Sequence, residues 1–582
     1  MRWMLKELLQ GKSFEENISI LEKELRTFEF LLNKLSDNIS NEDYKKIILL
    51  EEQMIARASR LGGFLGLSMA ENTKSQEVMK FKSIFEAFSI KYSDIVRKFD
   101  FWEKGLDTSE KKGLDEKNAL RLANVISQRK DSFLYRRRLA KYSLKEEQER
   151  IIQRKDLNGI NTVTELYDQI TTNFEYEMKI KGKIKKIKTK KEITDYFLDK
   201  NPLVRKDAYL SYSKPFIQNK EALFTIYSSI VKDWGIEKEL RCYESPISIR
   251  NIDNWLDDDI IKTLIKVVEK NKSLYQEYFK LKSKTLKIEK FSRFDLYAPL
   301  KRKQKKYSYE EALIIVFDNF KKFDSEFFEL AKRLIKESKV DVYARENKRS
   351  GAFNYSINPD LTPYVMLNHT GSEEDVFTIA HEFGHAIHSM LAFDKLPSLF
   401  HPVIPLAETA STFSELMLFE NLLKKLDSKD KKIMLMSKIE DSYKSILLQA
   451  YYTKFEILAH ELIPKGITEE ELSNLYYENL KELLGDSIEI NETFKYGYLG
   501  IPHIFHTPFY CYSYAFGDLL SLALYSEYLD DKKKFVPKLK AILSAGSSMD
   551  TELLLKKYGF DITDEKFWQG GFDLVNKWLN EV

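Results

Sequence analysis

The sequence predicts a mainly α-helical fold, with one small β-sheet between 340 and 368 and a separate β-hairpin near 174–190. Three observations carry this. Ile18, Leu21, Leu25, Phe28, Leu32 and Leu35 recur at spacings of three and four, which lays them on one stripe of a helix. Phe174, Tyr176, Met178 and Ile180 alternate with polar residues, the period of a strand. Between 341 and 368 the helical patterning gives way to short β-rich runs broken by Asn, Pro and Gly.

Taken in chain order, the first 170 residues read as helices. The leucine-rich stripe does not persist as heptads, so it fits an internal helical hairpin better than a coiled-coil surface for a partner. The glycine-bracketed stretch from Gly105 to Gly113 is a turn between helices. In the hairpin, Lys181-Gly182-Lys183 supplies the turn and Ile184 starts the return strand. The lysines of 179–191 suit its wet, edge-protecting side better than a nucleic-acid patch. Thr189 and Glu192 have capping-box spacing for a new helix. A domain boundary is placed there: 1–190 as an N-terminal helical domain ending in the hairpin, and 191–582 as a second domain that holds every histidine of the chain. Val340 to Tyr343, Gly351 to Ile357 and Tyr364 to Leu367 are the strands of the small sheet.

The bulk composition narrows the function class. With 582 residues the chain can bury a large core around a deep cleft. A net charge of +3 gives no reason to expect a nucleic-acid partner. Two cysteines, Cys242 and Cys511, cannot build a disulfide framework or a thiolate zinc site. No leader or membrane span is visible in the sequence. A cytoplasmic, soluble protein is expected, monomeric or weakly self-associating, with neither nucleic acid nor membrane as a partner.

All eight histidines lie between 369 and 506. His381-Glu382-Phe383-Gly384-His385 falls in a helical window that Ser372 and Asp375 can cap. Residues four apart share a helix face, about 6 Å apart along the axis, so both imidazoles can reach one Zn²⁺ at about 2.0–2.1 Å. Glu382 projects about 100° away from His381, beside the metal, where it can act as base. Gly384 keeps one side of the helix slim for a close neighbour. Pro405 opens a second helix in which Glu408, among small residues, is the third ligand of a His₂Glu site holding one Zn²⁺ per chain. Glu415, two turns on, can orient a ligand imidazole. His388 shares the ligand face, but a straight helix cannot aim three residues spanning about 10 Å at one ion. It is assigned to the surroundings of the site. The aromatic and histidine-rich run from Pro502 to Tyr514 offers donors for the negative charge that builds on a scissile carbonyl.

The block from Arg345 to Phe353, then Leu367-Asn368, Asp375 to Thr378, His381 to His388 and Glu408 to Glu415 resembles the thimet oligopeptidase family, in particular its oligoendopeptidase F branch. The resemblance implies a multi-helical ellipsoid with a deep substrate channel, zinc on its floor, and cleavage of short unstructured peptides. It implies zinc ligands His381, His385 and Glu408, base Glu382, and carbonyl contacts from Tyr514 and His503, with His506 or Tyr510 as further substrate contacts. Thr507 and Pro508 depart from the glycine-rich loop of mammalian members. Gly351 to Phe353 are expected to pair with substrate backbone by strand addition. The expected activity is a zinc metalloendopeptidase. The alternatives are a dipeptidyl carboxypeptidase or aminopeptidase on the same type of site, and a non-catalytic helical scaffold. The Gly-Ala-Met-Glu-Asn strand of the aminopeptidases is absent.

Overall fold

A computed structural model describes residues 2–108, 111–180, 182–300, 302 and 305–582. Lys181 of the expected hairpin turn, and Ser109 and Glu110 of the turn expected at 105–113, lie outside the described residues. Helices dominate, and the described residues contain two sheets, of two and three strands. The chain divides into two compact units that interleave along the sequence. One is built from 1–146, 304–424 and 527–561, and the other from 147–303, 425–526 and 562–582. Position 190 falls inside the second unit.

In the first unit, the apolar stripe of helix Phe14–Leu32 is buried against helices Asn41–Glu71 and Gln76–Lys104. This is the internal hairpin that the broken heptads favour. Ser13 caps the first helix by accepting from Glu16 N–H at 3.0 Å, and the Glu16 carboxylate accepts in return from Ser13 N–H. The three-stranded sheet is formed by Val340–Asp341, Phe353–Tyr355 and Tyr364–Met366. Tyr364–Met366 is central, parallel to Val340–Asp341 and antiparallel to Phe353–Tyr355, with Asn354 opposite Val365. Trp3, Leu67, Ala70 and Ile357 pack with sheet residues Tyr364 and Met366. The Trp3 indole N–H reaches the carbonyls of Lys339 and Val365 at 3.0 and 3.1 Å, which ties the start of the chain to the sheet.

In the second unit, strands Tyr176–Ile180 and Lys183–Ile187 pair antiparallel, with Met178 opposite Lys185. In the first strand Tyr176 and Met178 are buried while Glu177 and Lys179 are exposed, as the strand alternation requires. In the return strand only Ile187 is buried, and Ile184, opposite Lys179 on the wet face, stands in solvent. Thr189 accepts from Glu192 N–H at 3.2 Å and opens helix Lys190–Asp195.

Candidate metal centre

The motif helix runs Glu373–Leu391. Its start is fixed by a capping box: Ser372 Oγ accepts from Asp375 N–H at 3.1 Å, and Asp375 Oδ2 accepts from Ser372 N–H at 2.9 Å. Asp375 also takes the Thr370 N–H at 2.8 Å and hydroxyl at 3.0 Å. The acidic first turn, Glu373-Glu374-Asp375, complements the positive end of the helix dipole.

The helix expected from Pro405 is broken in two, Ile404–Ala407 and Thr409–Leu423, with Glu408 at the break. Gly384 is where this second helix meets the first. A Cβ there would lie 2.7 Å from Ser411 Cα and 2.8 Å from both Ala410 O and Ser414 Oγ. Only a glycine lets the backbones come this close, and the approach brings Glu408 level with His381 and His385.

The three expected ligands meet. His381 Nε2 and His385 Nε2 are 3.1 Å apart, and Glu408 Oε2 lies 3.5 Å from the first and 3.3 Å from the second. Among the described residues they form one group whose ligand atoms all lie within 4.8 Å of one another. Three donors on a tetrahedral ion with bonds of about 2.0–2.1 Å stand about 3.3 Å apart, so this triangle fits a metal. The chemistry of the donors fits as well. His381 Nδ1 lies 2.5 Å from Glu415 Oε1, which holds a ring proton on Nδ1 and makes Nε2 the nitrogen that faces the other two donors. Ser411 Oγ donates to Glu408 Oε2 at 2.8 Å and holds the carboxylate in place.

The electrostatics follow from this crowding. Burial disfavours charge on His381, but the Glu415 carboxylate, with Glu382 and Glu408, raises its pKa to about 9. Burial also pushes Glu408 up, and His385, His381 and Ser411 outweigh it, so its carboxyl sits below the usual range. Glu382 is 7% exposed, and burial raises its carboxyl above the usual range despite the two imidazoles. A raised carboxyl beside a metal triangle suits a group that accepts and returns a proton.

Three contacts around the triangle were not legible in the sequence. The backbone N–H of Asn354, on the outer strand of the sheet, lies near the Glu382 carboxylate and opposes part of its upward shift. His388 is buried, burial drives its pKa down to about 3, and its ring lies near the carbonyl of Ala407. It contributes no atom to the triangle. Ser356 and Ser389 hydroxyls lie 2.6 Å apart and link the sheet to the motif helix. Near the sheet, Gly351 has φ +84°, and its carbonyl and that of Arg349 accept from the Asn368 side chain at 2.7 and 3.0 Å. Phe353 packs toward Trp3.

The remaining expected residues belong to the second unit. His503, Tyr510 and Tyr514 form a ring cluster: His503 stacks on Tyr510 at 5.8 Å, and Tyr514 stands edge-on to both. Tyr514 OH is 3.3 Å from His503 Nε2. Burial, with His506 and Lys190 nearby, keeps His503 below its usual pKa, so the ring is neutral near pH 7. His506 turns elsewhere, to Asp168 at 2.8 Å and to the edge of the Tyr167 ring.

The model of peptidase family M3 matches residues 196–574. The chain is 29% identical over 396 residues to oligopeptidase PepF of Bacillus subtilis, covering 67% of this chain and 58% of that one. It is also 29% identical over 406 residues to an oligoendopeptidase F homolog of Borreliella burgdorferi, covering 68% of each. A crystal structure from Chlamydophila abortus superposes with a TM-score of 0.87 at 22% identity, over 100% of this chain and 97% of that one. Oligoendopeptidase-F from Enterococcus faecium superposes with a TM-score of 0.69 at 18% identity, over 98% of each chain, which shows the same mainly helical fold. The family match spans the sheet, the metal triangle and the 503–514 segment alike, and this chain belongs to peptidase family M3.

Proposed function

We propose that the chain is a zinc-dependent endopeptidase that cuts internal bonds of short, unstructured peptides. The observation that carries the reading is the ligand triangle with the buried, proton-hungry Glu382 next to it on the same helix. The names of the M3 relatives, oligopeptidase and oligoendopeptidase F, support the endo mode and the short substrates.

His381 Nε2, His385 Nε2 and Glu408 Oε2 would hold the zinc, which when bound supplies a Lewis acid that polarises the scissile carbonyl. Glu415 holds a ring proton on His381 Nδ1. Glu382 takes a proton from the attacking water and returns it to the leaving nitrogen. Phe353–Tyr355 is the outer strand of its sheet, and together with Gly351 it offers backbone groups to an extended peptide. Tyr514 OH, with neutral His503, is assigned to the carbonyl oxygen where charge develops, and Tyr510 and His506 to substrate contact. No helix among the described residues is long and apolar enough to cross a membrane, and two cysteines suit a reducing compartment, so we place the enzyme in the cytoplasm.

The test is mass-spectrometric mapping of cuts in a mixed peptide library, with and without a chelator. Internal cuts in short peptides, including those with both ends blocked, and their loss with chelator support the reading. Failure on N-blocked peptides points to an aminopeptidase, and release of C-terminal dipeptides alone to a dipeptidyl carboxypeptidase. Absence of bound zinc by elemental analysis points to a scaffold.

A further inference from the structure

Glu456 is a buried acid that the mechanism leaves unused. It lies on helix Leu448–Leu462, in the second unit, with 0% exposure. Its Oε1 accepts the backbone N–H of Phe509 at 2.7 Å. Phe509 is one of few non-glycine residues with a left-handed backbone, at φ +60°. A phenylalanine gains nothing by itself from that conformation, so something outside it must hold it there. One turn along the same helix, the buried ring of His460 packs on the Phe509 ring at 4.5 Å. Phe509 is therefore gripped by its N–H and by its side chain from a single helix face. The flanking residues are pinned as well: Arg250 Nε donates to Pro508 O at 3.2 Å, and Asn254 Nδ2 donates to Tyr512 OH at 2.7 Å.

The consequence falls on the next residue. Tyr510 follows the left-handed turn, its N–H reaches back to Thr507 O at 3.1 Å, and its ring stacks on His503 with Tyr514 against both. The direction in which Tyr510 leaves the turn is set by the backbone of Phe509, and so is the geometry of the three-ring cluster.

We propose that Glu456 is a positioning residue for peptide hydrolysis, holding Phe509 in its left-handed turn so that Tyr510, His503 and Tyr514 keep the arrangement that meets the substrate carbonyl. The inference rests on the assignment of Tyr514 and His503 to that carbonyl. Burial drives the Glu456 carboxyl up to about 8, so the group acts near pH 7 as a neutral acceptor, and a charge is not needed.

The test uses the full-length, zinc-loaded enzyme with 3-fluorotyrosine placed at 510, in wild type, Glu456→Gln, Glu456→Leu and Tyr514→Phe. Glu456→Leu removes the acceptor while keeping an apolar side chain of similar size, and Glu456→Gln keeps an acceptor oxygen. The expected result is that Glu456→Leu moves the fluorine resonance of residue 510 toward that of a free tyrosine. It should lower kcat by tenfold or more with KM little changed and zinc retained. Glu456→Gln should recover most of both readouts, which loss of general stability would not do. A resonance unmoved in Glu456→Leu overturns the positioning of the loop. A moved resonance with wild-type kcat overturns its part in the reaction. Equal loss in both Glu456 variants overturns the acceptor role. If Tyr514→Phe alone keeps wild-type kcat, the assignment of the ring cluster has failed, and the fluorine shift then reports on the Glu456–Phe509 contact separately.

Discussion

His381 Nδ1 lies 2.5 Å from Glu415 Oε1, so a carboxylate on the second helix decides which nitrogen of the first helix faces Glu408 and His385. The metal triangle therefore depends on a residue that supplies none of its corners. Glu415→Ala removes the acceptor that fixes the tautomer. Zinc affinity, read by competition with a chromogenic chelator, is expected to fall about 10–100-fold with the fold intact. An unchanged affinity would mean that Glu415 does not prepare the ligand.

Gly384 is the closest approach of the same two helices. A methyl group at 384 would press on Ser411 Cα, a backbone atom that cannot rotate away. Gly384→Ala is expected to destabilise the enzyme by about 1–3 kcal/mol through overpacking. It should also weaken zinc binding, because separating the helices opens the triangle. Calorimetry and the same chelator competition check both. A variant with wild-type Tm and affinity would show that the helices yield without cost.

Much of this centre was legible in the sequence because it is written in local spacing. His381 and His385 share a face by being four apart, Ser372 and Asp375 announce the helix start, and Gly384 announces a close neighbour. Glu408 and Glu415 stood out as carboxylates in a run of small and apolar residues. What stayed hidden depends on contacts between distant segments. Nothing in Phe353-Asn354-Tyr355 says that the backbone of Asn354 comes near Glu382, and the break of the helix at Glu408 is invisible in a run that reads as continuous. The same holds at larger scale. Residues 304–424 join 1–146 in one unit while 147–303 fold with 425–526, and no linker-like composition marks those crossings. Hairpin and sheet were legible from alternation in the first strand, but the return strand is exposed from Lys183 to Lys186 and buries only Ile187.

The buried acid behind Phe509 carries a pH signature. Burial raises the folded-state pKa of Glu456 from 4.5 to about 8, with the Phe509 N–H and Arg250 opposing in part. Because the folded value lies above the unfolded one, protonation stabilises the fold. That contribution is fully present below about pH 4.5 and is lost as pH rises through about 8. Glu456→Gln lacks the ionising proton. Its Tm relative to wild type is expected to climb between about pH 5 and 9, measured by calorimetry in matched buffers. Parallel profiles would show that Glu456 ionises as it does in water.

Glu382→Gln separates most directly the movement of the proton by Glu382 from the holding of the metal by His381, His385 and Glu408. The amide keeps the size of the carboxyl and leaves the triangle untouched. One zinc per chain by elemental analysis and a fall in kcat of about 10²–10⁴-fold on a quenched-fluorescence peptide are expected. A Glu382→Gln enzyme that keeps its zinc and cleaves at the wild-type rate would contradict that division of roles.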